Sequence, residues 1–343
     1  MHWNLLCRSL SFLGAAALAI GCSSDPSAPA PVRTPTAMGI AYGNDQVGVA
    51  GRPLVQNITV KVIDQQDKPM RDVSVSFAVT GGGGSVDAPT DVTDNQGFAS
   101  TAWTLGSGPG VGAQSATATI DGAAIAPVTF TARVVTEVVR GAGDGQMAEV
   151  GHAVGEAPTV IIRDAAGEPV AGMAVLWTVT SGGGWVDSPS SFTDVNGVAS
   201  MPWTLGYSVG SAQALQASLS PSVATTFTAS AVLTSASMYV QAGDHQTGVA
   251  GADLALPVMV RVTTEETEYY YGHAVEGVEV HWEVVGGGGS TRASTSLTNA
   301  SGLASVTWVL GDSLGTDNQR LQASVTGLVG PPVEFTATAT AGP

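Results

Sequence analysis

One series of motifs occurs three times in this sequence, at intervals of about 100 residues. VSFAVTGGGGSVD at 75–87 returns as VLWTVTSGGGWVD at 175–187 and as VHWEVVGGGGSTR at 280–292. TDNQGFASTAWTLG at 93–106 returns in related form at 193–206 and 298–311. A repeat of this length is the size of an independent domain and is well above the roughly 20–50 residues of solenoid repeats. The sequence therefore predicts three tandem domains, at 37–134, 135–232 and 233–343.

Apolar and polar residues alternate within each unit, as Val73, Val75, Phe77 and Val79 do in the first. An alternation of period two buries one face of a strand and leaves the other in water, which is typical of antiparallel sheets packed as a sandwich. About seven short strands with turn signals between them fit an immunoglobulin-like sandwich. We therefore predict an all-β chain of three tandem immunoglobulin-like β-sandwich domains after a signal peptide and a short Pro-rich tether. Large aromatic residues supply the core: Phe77, Trp177 and Trp282 on one strand, and Trp103, Trp203 and Trp308 on another.

The glycine run of the first unit, within VTGGGGSVD, has three possible explanations: a phosphate-binding loop, a domain linker or a tight turn. The phosphate loop is excluded because the sequence has no G-x-x-x-x-G-K-[ST] motif and no lysine near the run. The run lies inside every unit, always after the aromatic strand, which excludes a linker. We predict a turn that needs positive φ. The G-x-S-x-G pattern occurs at 206–210 and 311–315, but no helix is predicted after either, as the nucleophile turn of a hydrolase requires, so neither an enzyme nor a cofactor is expected.

The combined motifs resemble the bacterial Ig-like group 1 domain. They are the Gly-Asp-x-Gln turn, the V-x-F/W-x-V strand, the Gly-rich turn, T-D-x-x-G-x-A and W-T-L-G, and the resemblance covers about 38–340. Such domains are the repeats of the invasin and intimin adhesins, so the resemblance implies sandwiches displayed outside the cell. Those adhesins also carry an outer-membrane barrel and a lectin-like head, which we do not find in this sequence. Their receptor binding is therefore not carried over.

The N-terminal segment is predicted to be a targeting signal. The apolar stretch at 10–20 is short for a membrane span and suits a signal peptide, here 1–21. Its ending AIGC resembles a bacterial lipobox, which implies that Cys22 is the first mature residue and carries lipid. An ordinary secretory signal is the alternative. Residues 22–36 hold four prolines and are expected to form a tether, of which 23–36 reach about 43 Å at most.

Charge and polar residues exclude several other sites. A net charge of −16 argues against nucleic-acid binding. His273 and His281, with Glu279 and Glu283 nearby, make zinc conceivable, but a solvated sheet face is the expected arrangement and no metal site is predicted. The repeated turn positions should bond their local backbone as Asx turns rather than bind calcium. These positions are Asp94, Asp194 and Asn299, and Asn44, Asp144 and Asp244.

One loop breaks the repeat in the third unit. EETEYYYGHAVEG at 265–277 replaces eight-residue segments of the other units and contains half of the tyrosines of the chain. Exposed aromatic residues on a loop of a rigid scaffold favour binding. The alternative is an extended hairpin whose tyrosines pack on their own strands. The candidate binding residues are Glu265, Glu266, Glu268, Tyr269, Tyr270, Tyr271 and His273.

We expect a non-enzymatic lipoprotein of the cell envelope, anchored by its lipid at the outer membrane and exposed at the surface. Short links between units, around 134–137 and 232–235, indicate a semi-rigid rod on the order of 100 Å long. The rod would mediate adhesion or contact with a protein, matrix or glycan partner through its distal domain. The alternative is a passive spacer or envelope scaffold without a ligand of its own.

Overall fold

The computed structural model describes residues 32–106, 114–265, 272–328 and 331–342. These residues form thirty strands and no helix, arranged as three units of ten strands each. No helix in these ranges is therefore available to cross a membrane.

The strands of the first unit are β1 (Pro35–Tyr42), β2 (Gln46–Val49), β3 (Ile58–Asp64), β4 (Ser74–Gly81), β5 (Gly84–Val86), β6 (Thr90–Val92), β7 (Phe98–Thr101), β8 (Trp103–Leu105), β9 (Gln114–Thr119) and β10 (Val128–Val135). Those of the second are β11 (Val139–Arg140), β12 (Gln146–Glu149), β13 (Thr159–Ile161), β14 (Ala174–Ser181), β15 (Trp185–Val186), β16 (Ser190–Phe192), β17 (Val198–Ser200), β18 (Trp203–Thr204), β19 (Ala212–Ser220) and β20 (Val223–Val232). Those of the third are β21 (Ser237–Ala242), β22 (Gln246–Val249), β23 (Val258–Thr263), β24 (Glu279–Gly286), β25 (Gly289–Thr291), β26 (Thr295–Leu297), β27 (Leu303–Val306), β28 (Trp308–Leu310), β29 (Gly315–Ser324) and β30 (Val333–Thr340).

The three units share one topology. In the first, a five-stranded sheet of order β2-β10-β9-β4-β6 faces a three-stranded sheet of order β1-β3-β7, with a short β5-β8 ladder at one end. The second and third units repeat this order strand for strand. The β2–β10 pair is parallel and the other pairs are antiparallel. This is an immunoglobulin-like sandwich, which confirms the predicted fold class.

Each unit has ten described strands rather than the predicted seven because several strands are interrupted. The chain leaves the three-stranded sheet after β7 and pairs next in the β5-β8 ladder, with Ala102 between the two pairings. Pro202 occupies the same break in the second unit, where no ladder bond needs the N–H that proline lacks. The alternation of apolar and polar residues continues across such a break. A prediction based on alternation therefore treats the two strands as one.

The cores follow the predicted alternation. Trp103, Trp203 and Trp308 are fully buried at equivalent positions. The indole Nε1 of Trp177 donates to the Ser191 hydroxyl at 2.9 Å, and the third unit repeats this bond. The buried residues of units two and three form one continuous cluster that also includes Val135 at the end of β10, whereas the other buried residues of unit one form a separate cluster.

The glycine run is a turn, as predicted, and a buried glutamine supports it. Gly84 has φ +95°, and a Cβ there would lie 2.2 Å from the Thr104 carbonyl oxygen. The side chain of Gln114 accepts from the Gly106 N–H at 3.0 Å and donates to the Gly82 carbonyl at 3.1 Å. Equivalent glutamines occupy the other units, namely Gln213 and Gln319.

Candidate interaction site at the junction of units two and three

The loop between the third and fourth strands of each unit, here called the receiving loop, contacts the preceding part of the chain. In unit two it covers 162–173, between β13 and β14. The Arg133 guanidinium, on β10 of unit one, lies 3.0 Å from the carboxylate of Asp164, whose side chain is buried. The Ala165 N–H donates to the Val134 carbonyl at 2.9 Å. The junction of units one and two therefore has an ion pair and a backbone hydrogen bond.

Unit one receives the segment before it in a similar way. Arg33 Nε lies 2.6 Å from the fully buried Asp64 carboxylate, and Arg33 Nη2 donates to the Pro69 carbonyl at 2.5 Å. Burial by itself raises the pKa of Asp64, but hydrogen bonds from the Lys68 and Gln66 N–H groups and from Arg33 hold that pKa below its ordinary value. Residue 33, predicted to lie in the tether, therefore packs on unit one.

The junction of units two and three lacks both members of this ion pair. Thr264 stands where units one and two have aspartate, and its hydroxyl accepts the His273 N–H at 2.9 Å. Ser230 stands on β20 at the position of Arg133. Contacts of another kind therefore join the third unit to the second.

A short backbone ladder is one of these contacts. The Val209 N–H donates to the Glu276 carbonyl and the Glu276 N–H donates to the Tyr207 carbonyl, both at 2.9 Å. A Cβ on Gly277, which has φ +81°, would lie 2.3 Å from the Val209 carbonyl oxygen. The equivalent Gly172, at φ +71°, has no atom within 4 Å of such a Cβ. The close approach at Gly277 thus belongs to this junction.

An aromatic stack is the second contact. The Tyr207 and His273 rings stack across the junction with centroids 4.3 Å apart and planes 21° apart. The half-exposed Trp185 lies 6.4 Å from Tyr207 on the side of unit two. The residue equivalent to Trp185 is Ser85 in unit one and Ser290 in unit three. The aromatic character is therefore specific to this junction.

Two cavities flank Tyr207. One, of about 360 Å³, is lined by Glu149, Val150, Gly151, His152, Tyr207, Ser235, Thr264, Glu265 and His273. The other, of about 400 Å³, is lined by Gly182, Gly183, Tyr207, Ser208, Ser211, Ala274, Glu276 and Ala300. Both contain residues of the second and third units. The junction is therefore a concave, polar surface and not a plain linker.

Glu149 remains ionised in the first of these cavities. The Thr234 hydroxyl donates to its carboxylate at 2.6 Å and the Ser235 hydroxyl at 3.4 Å. The Thr234 bond, the nearby His152 and the Ser235 bond lower the pKa of Glu149 in spite of the opposing effect of burial. Its negative charge is held at the link between the two units.

The predicted binding loop is only partly described. Glu265 and His273 both line the 360 Å³ cavity, at the end of unit three that faces unit two. The sequence predicts recognition in the unit farthest from the proposed anchor, and these two residues lie at the near end of that unit. Glu266, Glu268, Tyr269, Tyr270 and Tyr271 lie outside the described residues, as does Cys22.

The zinc and Asx-turn hypotheses have separate outcomes. His281 Nε2 lies 3.9 Å from Glu279 and 3.1 Å from the Thr326 hydroxyl, and the described residues contain no group of three metal ligands.

Asp94, Asp194 and Asn299 each accept N–H bonds from two and four residues ahead, which confirms Asx turns. The turn residues after glycine form long-range hydrogen bonds instead, so the prediction of Asx turns there is wrong. The side chains of Asn44, Asp144 and Asp244 accept the N–H of Thr131, Thr228 and Thr336, respectively, on the last strand of the same unit.

Sequence reasoning missed Tyr207, Glu149 and the two arginine–aspartate pairs. The repeat carried a usable signal for the pairs, because Arg33 and Arg133 are 100 residues apart, as are Asp64 and Asp164. Tyr207 also departs from the repeat, since the third unit has Asp312 after the same W-x-L-G motif. A comparison of the units for simultaneous departures would have identified the junction.

No family model and no curated protein matches this chain. Among solved structures, the D0–D1 domain of intimin is similar at 20% identity, over 59% of this chain and 95% of that one, with a TM-score of 0.24. Invasin, titled a bacterial integrin-binding protein, is 14% identical over 89% of this chain and 60% of that one, with a TM-score of 0.33. Titin fragment I67–I69 is 12% identical over 90% of this chain and 99% of that one, with a TM-score of 0.28. The chain is thus similar to intimin and invasin Ig-like domains and to titin alike, and its fold is assigned on its own strand order and register.

Proposed function

We propose that this protein is a lipid-anchored, surface-displayed array that mediates adhesion or protein contact through the junction of units two and three and its inserted loop. The chain would be held at Cys22, with residues up to 32 as the tether. The outer membrane is the proposed location.

The observation that carries this proposal is the departure of one junction from the repeat. Trp185, Tyr207 and His273 are aromatic only there, and the longer receiving loop of unit three has both of its described ends at the same cavity. A scaffold without a ligand needs only the contacts that already join units one and two. Concave sites that combine aromatic and a few polar side chains are typical of binding surfaces.

A non-enzymatic role is part of the proposal. The buried polar side chains that recur among the described residues bond to backbone groups. Gln114 supports the glycine turn, and the Thr93 hydroxyl donates to the Met70 carbonyl at 2.7 Å and accepts the Val73 N–H at 2.9 Å. These side chains stabilise the fold through hydrogen bonds to the backbone.

The binding role is tested with a variant that keeps the loop length. Changing Tyr269, Tyr270 and Tyr271 to serine preserves the backbone on either side, whereas deletion of 265–277 would also remove the buried Val275. We expect the triple variant to lose adhesion of cells that display the array. The matched control is Phe192→Ser, which changes an exposed aromatic residue of unit two. Unchanged adhesion by the triple variant would favour the passive spacer.

Lipid anchoring is tested separately. We expect Cys22→Ala to release the protein from membranes after alkaline washing, while Cys7→Ala, within the predicted signal peptide, leaves it bound. Retention of the Cys22→Ala protein on membranes would contradict the lipoprotein assignment.

A further inference from the structure

The receiving loop holds an arginine in two of the three units. In unit one Arg33 binds the Asp64 carboxylate and the Pro69 carbonyl, and in unit two Arg133 binds Asp164. Each arginine comes from the chain before the unit that receives it. In two units, therefore, this loop binds a guanidinium group from outside its own sandwich.

The receiving loop of unit three faces a cavity in which the described residues provide no such partner. The 360 Å³ cavity touches Thr264, the counterpart of Asp64 and Asp164, and has no arginine or lysine among its described lining residues. Its carboxylates come from both units, Glu149 from the second and the exposed Glu265 from the third. Two other carboxylates thus supply negative charge here, although Thr264 replaces the aspartate of the pair and Ser230 replaces the internal arginine.

The side chains around the cavity fit a cation. Carboxylates form their strongest hydrogen bonds with guanidinium and ammonium groups, and aromatic rings attract the same cations through their faces. Arginine suits such a site better than lysine because its planar guanidinium can stack on an aromatic ring and hydrogen-bond a carboxylate at the same time. Phosphate or carboxylate ligands would be repelled by the two glutamates. Two histidines, His152 and His273, complete the polar lining.

We propose that this cavity binds an arginine side chain presented by a partner protein. The unit-three loop would then receive from another molecule the residue that the other two loops receive from this chain. The inference rests on the proposed interaction function and adds the chemistry of the partner.

The test uses the purified full chain and three labelled peptides. The probes are Gly-Gly-Arg-Gly-Gly and the same peptide with lysine or with citrulline, which keeps the shape of arginine without its charge. At 0.15 M salt, where long-range attraction to an acidic chain is screened, we expect saturable binding of the arginine peptide, weaker binding of the lysine peptide and no binding of the citrulline peptide.

Variants separate this cavity from general attraction to the net charge of −16. We expect Glu265→Gln and Tyr207→Ser each to weaken arginine-peptide binding about tenfold. Glu168→Gln removes an acid of the unit-two receiving loop that is also exposed and should leave the affinity unchanged. Equal effects of Glu168→Gln and Glu265→Gln, or equal binding of the arginine and citrulline peptides, would overturn the inference.

Adhesion and peptide binding can fail independently. If cells that display the array adhere and the arginine peptide does not bind, the cation site is wrong and the interaction function stands. If the peptide binds in the expected manner and adhesion is absent, the adhesion role is wrong and the cation site stands.

Discussion

The two junctions use the same loop of the following unit and join it differently. Between units one and two the contacts include the Arg133–Asp164 ion pair and one backbone bond, and the main core of unit one is a separate cluster, with only Val135, Val47 and Val49 reaching the cluster of the next units. Between units two and three a backbone ladder and the Tyr207–His273 stack accompany a continuous buried cluster. Half-exposed ion pairs stabilise weakly, whereas continuous apolar packing couples neighbouring elements. We expect units two and three to unfold together and unit one to unfold alone.

The largest effect is expected at Gly277. The Gly277→Asp side chain would meet the Val209 carbonyl, so the free energy of unfolding of units two and three should fall by about 2–3 kcal/mol. Gly172→Asp is the matched control, because its surroundings are open and Asp72 occupies the same position of unit one at φ 63°. It should cost less than about 1 kcal/mol. Denaturant unfolding followed by tryptophan fluorescence measures both, and equal losses would contradict the close approach.

Removal of the stack should come next. Tyr207→Ala eliminates the ring contact with His273 and should lower the free energy of unfolding by about 1–2 kcal/mol. It should also split the joint calorimetric transition of units two and three. Phe192→Ala, on the exposed face of unit two, should do neither. A single transition in Tyr207→Ala would show that the apolar cluster alone couples the units.

A smaller effect is expected at the first junction. Arg133→Met removes the half-exposed partner of the buried Asp164 carboxylate, which keeps its bonds from the Ala166 and Glu168 N–H groups, and should cost about 1 kcal/mol, less at high salt. Arg33→Met makes the same change in front of unit one and should leave the contact between units one and two intact. Small-angle scattering should show a wider range of orientations of unit one only for Arg133→Met. An unchanged scattering profile would indicate that the backbone hydrogen bond, and not the ion pair, restricts the orientation of unit one.

The smallest effect is expected in the loss of stability at low pH. Because the folded pKa of Glu149 is lowered, its stabilising effect is complete above the ordinary glutamate pKa of about 4.3 and is lost as the pH falls through the lower folded value. Unfolding between pH 3 and 6 should therefore show a loss of stability below about pH 4 that Glu149→Gln lacks. The Thr234 and Ser235 hydroxyls can still donate to the amide oxygen of the variant. Parallel pH profiles of the two proteins would contradict the assignment to Glu149.

The sequence predicted the sandwich, the three buried tryptophans, the glycine turn and the Asx turns, because each depends on local spacing. It did not predict the partners of Asn44, because Thr131 lies 87 residues away on another strand. The place of Glu265 and His273 at a junction was missed for a related reason. Alternation shows which face of a strand is buried, but only the strand order shows which end of a unit a loop occupies.

The parallel pairing of β2 with β10 has a mechanical consequence. These strands lie near the points where the chain enters and leaves unit one, and they are joined over four residue pairs. Units two and three repeat the arrangement through β12–β20 and β22–β30. After β1 has been pulled from the smaller sheet, tension between the ends of a unit loads this ladder in shear, so its hydrogen bonds must break together rather than one at a time. The force that a tethered array withstands would then be set by the weakest of three short ladders and not by the size of its cores.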